Sequence, residues 1–217
     1  MKKFELTNEF ITNMFGTKLF RIRALVEFGD VEAGELGGYV EKESNLGHDD
    51  NAWVYDNAWV YGDAQVSGDA LVYDNARVYG NARVYGDAQV SGDALVYGNA
   101  WVYGDAQVSG DARVYGNAQV SGDARVCGDA RVCGNGDDAY AHGFGSVNRT
   151  TTFFRLKDGG VGVRCGCFYG TLAQFRDKIR ETHGETKKAQ EYLMLADLME
   201  LRFEEDENEV GNRKYVE

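Results

Sequence analysis

Three histidines (His48, His142 and His183) and four cysteines (Cys127, Cys133, Cys165 and Cys167) are the side chains of this 217-residue chain best suited to acid–base, nucleophilic or metal chemistry. Their spacing offers little of it. Cys127 and Cys133 lie six apart, Cys165 and Cys167 bracket one glycine, and neither spacing is a Cys-x-x-Cys metal knuckle. Cysteines two apart on one strand point the same way without easily closing a disulfide, so four reduced thiols are expected. A general base must be held within reach of the proton it takes, and the arrangement nearest to that is His142 with Asp137 or Asp138. His48 falls at a degenerate corner. His183 ends a helical stretch, where the helix dipole accommodates it without catalytic duty. No Ser/His/Asp pattern, phosphate-cradling loop or Thr-x-Thr ladder is present. No catalytic residue, metal site or cofactor is assigned.

Binding chemistry is better represented, in residues that recur every 18 positions. One column reads Tyr61, Tyr79, Tyr97, Tyr115 and Cys133, and two positions earlier runs Trp59, Arg77, Leu95, Arg113 and Arg131. Tyr and Arg are enriched in interface hot spots, so Tyr61, Tyr79, Tyr97, Tyr115, Trp59, Arg77, Arg113 and Arg131 form a candidate interface. The competing reading is a structural ladder of rings stacking on one another. A second set of outward residues runs Tyr55, Tyr73, Ser91, Ser109 and Cys127, flanked by Trp53, Leu71, Gln89, Gln107 and Arg125. Acidic residues form two further columns: Asp69, Asp87, Asp105 and Asp123, then Asp93, Asp111 and Asp129. Each Asp is expected to cap its own corner through backbone amides. An acidic strip for a basic partner and a weak cation ladder are the functional alternatives. A third column carries Asn81, Asn99 and Asn117.

The elements that hold these columns follow from a six-residue repeat. Residues 51–134 read as consecutive hexads of Asp or Asn, Ala, a variable residue, Val, then Tyr, Ser or Cys, and finally Gly or Asp. Ala and Val are two apart, so on a strand both face one side, and the variable residue and the Tyr or Ser face the other. Gly-Asp and Gly-Asn pairs tolerate the positive φ of a corner. A corner every six residues builds a triangular coil of three short strands. Two imperfect hexads precede the array, placing Gly38 with Val40 and Ser44 with Leu46 inward, and Asp49 and Asp50 form a two-residue insertion. About five coils at about 4.8 Å per strand give a stack of roughly 25 Å. The sequence Gln-Val-Ser-Gly-Asp-Ala-Leu-Val-Tyr occurs at 65–73 and again at 89–97, a shift of four hexads.

These hexads resemble the left-handed parallel β-helix of hexapeptide-repeat proteins, with Val at the aliphatic position and Ala at the small one. The left hand is implied by that resemblance alone, since general crossover statistics favour the right. In the acyltransferases of that group a histidine base projects from the coils, acyl-CoA lies between subunits, and a loop interrupts the coils. The array here holds neither a histidine nor an interrupting loop. A second resemblance covers the ends. The segment from Glu27 through Gly34-Glu35-Leu36-Gly37-Gly38-Tyr39-Val40 is similar to the opening of bacterial and prophage hexapeptide-repeat proteins that often carry a transferase label. The segment Thr152-Phe153-Phe154-Arg155 to Cys165-Gly166-Cys167-Phe168-Tyr169-Gly170-Thr171, with Glu181-Thr182-His183-Gly184, looks like a tail of phage-borne members.

The open ends of a solenoid are unpaired strands that need covers. The expected organisation is an N-terminal β cap over 1–36, a β-helix over 37–138, and a C-terminal ββαα cap with an acidic tail over 139–217. The first cap holds a strand from Lys18 towards Phe28. The second holds strands over Thr150–Leu156 and Val161–Tyr169, a helix capped by Thr171 to about Thr182, and another capped by Thr186 to about Glu205. Tyr192, Leu195, Leu198 and Met199 line one side of that last helix.

Composition narrows the function classes. With 28 glycines and no proline, the chain is rich in tight turns of glycine type. The net charge of −12 is spread over all parts of the chain, so direct nucleic-acid binding through phosphate neutralisation is disfavoured. No apolar run reaches membrane-spanning length and no signal peptide opens the sequence, so a bacterial cytoplasmic protein is expected. The favoured reading is a non-enzymatic solenoid that binds or scaffolds a protein partner, encoded by phage or prophage, with a basic or nucleic-acid-binding partner and homo-oligomers both compatible. The alternatives are an acyltransferase-like enzyme and an acidic DNA mimic that inhibits a host nucleic-acid-binding defence protein.

Overall fold

A computed structural model describes residues 2–144 and 149–204. The acidic tail expected after Glu204 lies outside them. The chain is a β-solenoid of about five coils with a cap at each end. Each hexad of 51–134 contributes one two-residue strand, from β4 (Trp53–Val54) to β17 (Arg131–Val132). Parallel pairing joins each strand to its counterpart 18 residues on, as in Leu95 with Arg113 and Val96 with Val114. Three faces result. The first stacks β5 (Trp59–Val60), β8 (Arg77–Val78), β11 (Leu95–Val96), β14 (Arg113–Val114) and β17. The second stacks β4, β7 (Leu71–Val72), β10 (Gln89–Val90), β13 (Gln107–Val108) and β16 (Arg125–Val126). The third stacks β6 (Gln65–Val66), β9 (Arg83–Val84), β12 (Trp101–Val102) and β15 (Gln119–Val120).

The hexad dictates this geometry. Its Ala and Val are fully buried in every copy and fill the prism. Removing them from water is the main favourable term, at about 25 cal/mol per Å² of apolar surface. The N–H of the variable residue donates to the Ala carbonyl of the next coil, and the N–H of the Tyr or Ser donates to the next Val carbonyl, at about 2.9–3.0 Å in Arg77 and Tyr79. Corner glycines adopt left-handed backbone; Gly86, at φ 71°, would place a Cβ 3.0 Å from the amide nitrogen of Gly104. Asp56 and Asp74 take the same conformation at φ 51° and 58°. Asp74 compensates by accepting the Gly92 N–H at 3.0 Å.

At the N-terminal end, β1 (Phe4–Thr12), β2 (Lys18–Ala24) and β3 (Leu36–Val40) form an antiparallel meander. Strand β3 then pairs in parallel with β5, Val40 beside Val60, so the cap extends the first face into an eight-stranded sheet. The imperfect hexads differ in outcome. Gly38, Val40 and Leu46 lie over the coil as expected, but Ser44 is exposed. A 3-10 turn over Glu43–Asn45 turns the buried Asn45 inward instead, where its Nδ2 donates to the Gly62 and Ala64 carbonyls. Trp53, expected to face outward, is fully buried because Phe4 and Phe28 of the cap pack edge-on against it. Lys3 seals the same end. Its Nζ donates to the carbonyls of Asp50 and Ala52 and sits 4.6 Å from the Phe28 ring, and burial lowers its pKa to about 8.

At the other end, β18 (Asp138–Phe144), β19 (Arg149–Arg155), β20 (Val161–Cys165) and β21 (Phe168–Thr171) make an antiparallel sheet. Two of these strands go beyond the expected pair. Strand β18 is an addition, and the run expected to continue to Tyr169 folds back at Gly166, φ 59°, into a hairpin. Two helices follow, α1 (Leu172–His183) and α2 (Lys187–Phe203), with Thr171 and Thr186 as N-caps. Buried Ala189, Tyr192, Ala196, Met199 and Phe203 form the inner side of α2. Leu198 is exposed, because the buried stripe runs through positions 192, 196, 199 and 203 and leaves it on the far side.

Candidate functional site

The first face brings together the Tyr column and its basic neighbours. Rings of Tyr61, Tyr79, Tyr97 and Tyr115 stack with centroids 5.0, 4.9 and 5.2 Å apart and planes within 6°. The 18-residue coil imposes this, since a one-coil rise is close to the stacking distance of aromatic rings. Half-burial against neighbours raises the phenol pKa of Tyr61, and burial together with Tyr61 and Tyr97 pushes Tyr79 up to about 12. Tyr115 is raised as well, by burial and then by Cys133 at the end of the column. Raised in this way, the phenols of Tyr61, Tyr79 and Tyr115 are neutral at pH 7. A shorter ladder, Tyr85 on Tyr103 at 5.1 Å, occupies the third face.

The basic residues of this face divide by environment. Arg77 lies over Trp59 at 4.3 Å, a cation–π contact. Arg131 folds back, its Nη1 donating to the carbonyls of Asp111, Asp129 and Ala130. Arg113 is exposed. Beside them run the corner aspartates. Asn75, Asp93, Asp111 and Asp129 make one wall of a groove, and Arg77, Leu95, Arg113 and Arg131 make the other, with Lys157 from the cap. The groove encloses about 520 Å³. The arginine column and the acidic column, read separately in the sequence, are therefore two walls of one feature. Their positions two apart in the hexad were the available signal, whereas Lys157 comes from a cap hairpin whose placement no periodicity reveals.

The other acidic corner, Asp69, Asp87, Asp105 and Asp123, is exposed throughout. Asp69 accepts from Asn51, by both its backbone N–H and its Nδ2. The expected self-capping of corners does not occur at Asp87, Asp93, Asp105 or Asp111. Among the described residues their carboxylates make no hydrogen bond or ion pair, because glycine, already left-handed, closes the corner without them. The asparagine corner instead forms its own ladder, Asn81 Nδ2 to Asn99 Oδ1 at 3.1 Å and Asn99 to Asn117 at 3.3 Å. Among the described residues no three His, Cys, Asp or Glu side chains converge as metal ligands.

The pairing of His142 with Asp137 or Asp138 is not what the fold makes. Strand β18 turns His142 towards Thr150 Oγ1 at 2.9 Å and Asp123 Oδ2 at 3.5 Å. Both partners face the same nitrogen, Nδ1, so the imidazole cannot relay a proton between them as a base oriented by a carboxylate does. Asp137 is buried and holds the last corner closed, accepting from the Cys133 and Gly134 amides and the Arg155 guanidinium. Asp138 is also buried, and desolvation with the neighbouring Asp137 charge pushes its pKa up to about 7. His48 accepts from the Lys3 amide through Nδ1 and stacks on Phe4 at 4.5 Å; His183 stacks on Tyr192. Cys165 accepts from Thr151 Oγ1 at 3.2 Å, and the exposed Cys167 lies across the Gly166 turn from it rather than on a continuous strand.

No described helix is long and apolar enough to cross a membrane. No curated protein matches the chain. A family model described as the YdcK beta solenoid repeat matches residues 64–78, 76–90, 88–104, 106–122 and 118–134. Every one of the five matches begins on an inward alanine of a hexad. The description names a solenoid repeat, and neither a transferase nor a phage protein figures in it. Residues 64–134 are therefore similar, over nearly their whole length, to a β-solenoid repeat whose unit coincides with the hexad register.

Proposed function

We propose that this chain is a non-enzymatic binding or scaffolding module that presents the first face of its solenoid to a protein partner. The observation that carries the reading is the combination on one eight-stranded sheet: four stacked tyrosines, flanked by a groove with a cationic and an anionic wall. Stacked rings in a packed column lose little side-chain freedom on binding, which lowers the entropic cost of an interface. The groove offers charges of both signs in fixed register, a basis for specificity rather than raw affinity. The resemblance to prophage-type proteins supports a bacterial cytoplasmic setting. The test compares proteins retained from a bacterial lysate by three forms of the immobilised chain. These are the wild type, a face variant carrying Tyr79→Ser, Tyr97→Ser and Arg113→Glu, and a control carrying Gln65→Glu and Gln119→Glu on the third face. Selective loss of a retained protein with the face variant is expected. Equal retention by all three forms would sink the proposal.

The exposed, unpartnered carboxylates of Asp87, Asp93, Asp105 and Asp111 support a second mode of recognition, an acidic strip that attracts a basic or nucleic-acid-binding protein. The acyltransferase alternative draws less support, since the only exposed histidine near the last coil shares one nitrogen between Thr150 and Asp123. Calorimetric titration with acetyl-CoA is expected to give no specific heat. Micromolar binding lost in His142→Ala would establish the enzyme instead.

A further inference from the structure

A different cavity lies where the C-terminal cap overhangs the second face of the solenoid. It encloses about 260 Å³ and is lined by Gln107, Ser109, Arg125, Cys127, Gly128, Arg164 and Tyr169. Its floor comes from β13, β16 and the corner after them, and its roof from β20 and β21. The seam is fixed on both sides. The Arg125 amide donates to Thr152 Oγ1 at 2.9 Å, and the Tyr169 hydroxyl meets Asp129 Oδ1 at 3.3 Å. Tyr169 closes over the corner so tightly that a Cβ at Gly128 would fall 2.0 Å from its oxygen.

The lining holds two guanidiniums and no carboxylate. Among the described residues neither the Arg125 nor the Arg164 side chain has a hydrogen-bond or ion-pair partner. In a chain of net charge −12, two unpaired arginines lining one cavity are an unmet demand for negative charge. Ser109 and Gln107 add neutral donors. We propose that this cavity is a binding site for a small oxyanion, a phosphate-ester or carboxylate head group held between Arg125 and Arg164. The volume lies just below the usual ligand-pocket range of roughly 300–1,000 Å³, which fits a head group rather than a whole cofactor. The site is independent of the first-face interface proposed above. Cys127, half-buried in the lining with its thiol pKa raised by burial, serves as a built-in reporter of occupancy.

Alkylation of the full chain by iodoacetamide, a neutral reagent, reads that reporter. Trypsin releases Cys127 apart from the other three cysteines, in the peptide Val126–Arg131 or, where Arg125 is replaced, in Val114–Arg131. Millimolar inorganic phosphate and acetate are each compared with sodium chloride at equal ionic strength. The expected result is slower alkylation of Cys127 only, by several-fold, with phosphate, acetate or both. Preference for phosphate identifies a phosphoryl ligand, and preference for acetate a carboxylate. Arg164→Gln and the exposed Arg125→Gln should each weaken the protecting anion about tenfold or more, as the loss of one charge-assisted bond implies. Either variant suffices if circular dichroism shows its fold retained. Protection by neither anion, or protection unchanged in the folded variants, overturns the site.

Discussion

Asp138 shows how far a single residue can be carried from its behaviour in water. Its carboxyl sits at the end of the solenoid, buried beside Asp137, with a pKa of about 7. A folded-state pKa above the unfolded value means that the native state holds the proton longer. Stability is then unaffected below the unfolded pKa, declines as pH climbs from about 4 to 7, and stays reduced above 7. The full reduction is about 4 kcal/mol by linkage. Asp138→Asn should therefore stabilise the chain at pH 8 and do so much less at pH 5, measured by urea unfolding at both. Equal effects at the two pH values would show that the carboxyl is not protonated in the native state. This residue scale was the least legible part of the sequence. Trp53 and Tyr61 occupy outward-type positions of their hexads, yet one is buried and the other half-exposed. The difference lies in Phe4 and Phe28, which reach Trp53 from a cap that the repeat does not encode. His142 likewise answers to the twist of β18 and not to its neighbours in sequence.

Elements were legible where one short rule repeats and obscure where it stops. Fourteen two-residue strands follow from Ala and Val at fixed places, and both helices begin at the threonines that cap them. Strands β1 and β18 went unread because their partners, β2 and β19, are chosen by tertiary pairing, and neither strand alternates strongly. The corner is the element most sensitive to substitution. Gly86→Ala should cost about 2 kcal/mol, from left-handed backbone and a crowded Cβ together. Gly86→Asp should cost less, because its carboxylate can accept the Gly104 amide as Asp74 accepts that of Gly92. Thermal or urea unfolding of the two variants checks the order, and an Asp variant weaker than Ala would refute this account of the corner.

At the scale of the molecule the charge pattern was legible and its grouping was not. The acidic columns follow from 18-residue spacing, yet the groove that sets Asp93, Asp111 and Asp129 against Arg77, Arg113 and Arg131 emerges only with three-dimensional packing. The free corner, Asp87 and Asp105, repeats at about 4.8 Å, whereas phosphates of one DNA strand lie on the order of 7 Å apart along the backbone. Capture of a basic partner there rests on a line of potential, not on register, and fades over a Debye length of about 8 Å at physiological salt. Asp87→Asn with Asp105→Asn should leave the fold intact, since Asn81, Asn99 and Asn117 fill the equivalent corner and bond to one another. Binding of a basic partner should weaken, and a plot of its affinity against salt concentration should flatten. An unchanged slope would reduce the strip to a row of turns.

The 18-residue register also makes the repeat count an angular setting. Each hexad carries the chain along one face, so adding or removing three leaves the two caps facing as they do now and only changes the distance between them. One hexad more or fewer swings the C-terminal cap, with its Arg164 and Lys157, to another face of the prism. The copied sequence at 65–73 and 89–97 is displaced by four hexads, one coil and one face beyond. A duplication of that length both lengthens the solenoid and turns one end against the other. Counting hexads thus amounts to aiming, and the alignment of the Tyr column with the cap that closes it records how many have accumulated.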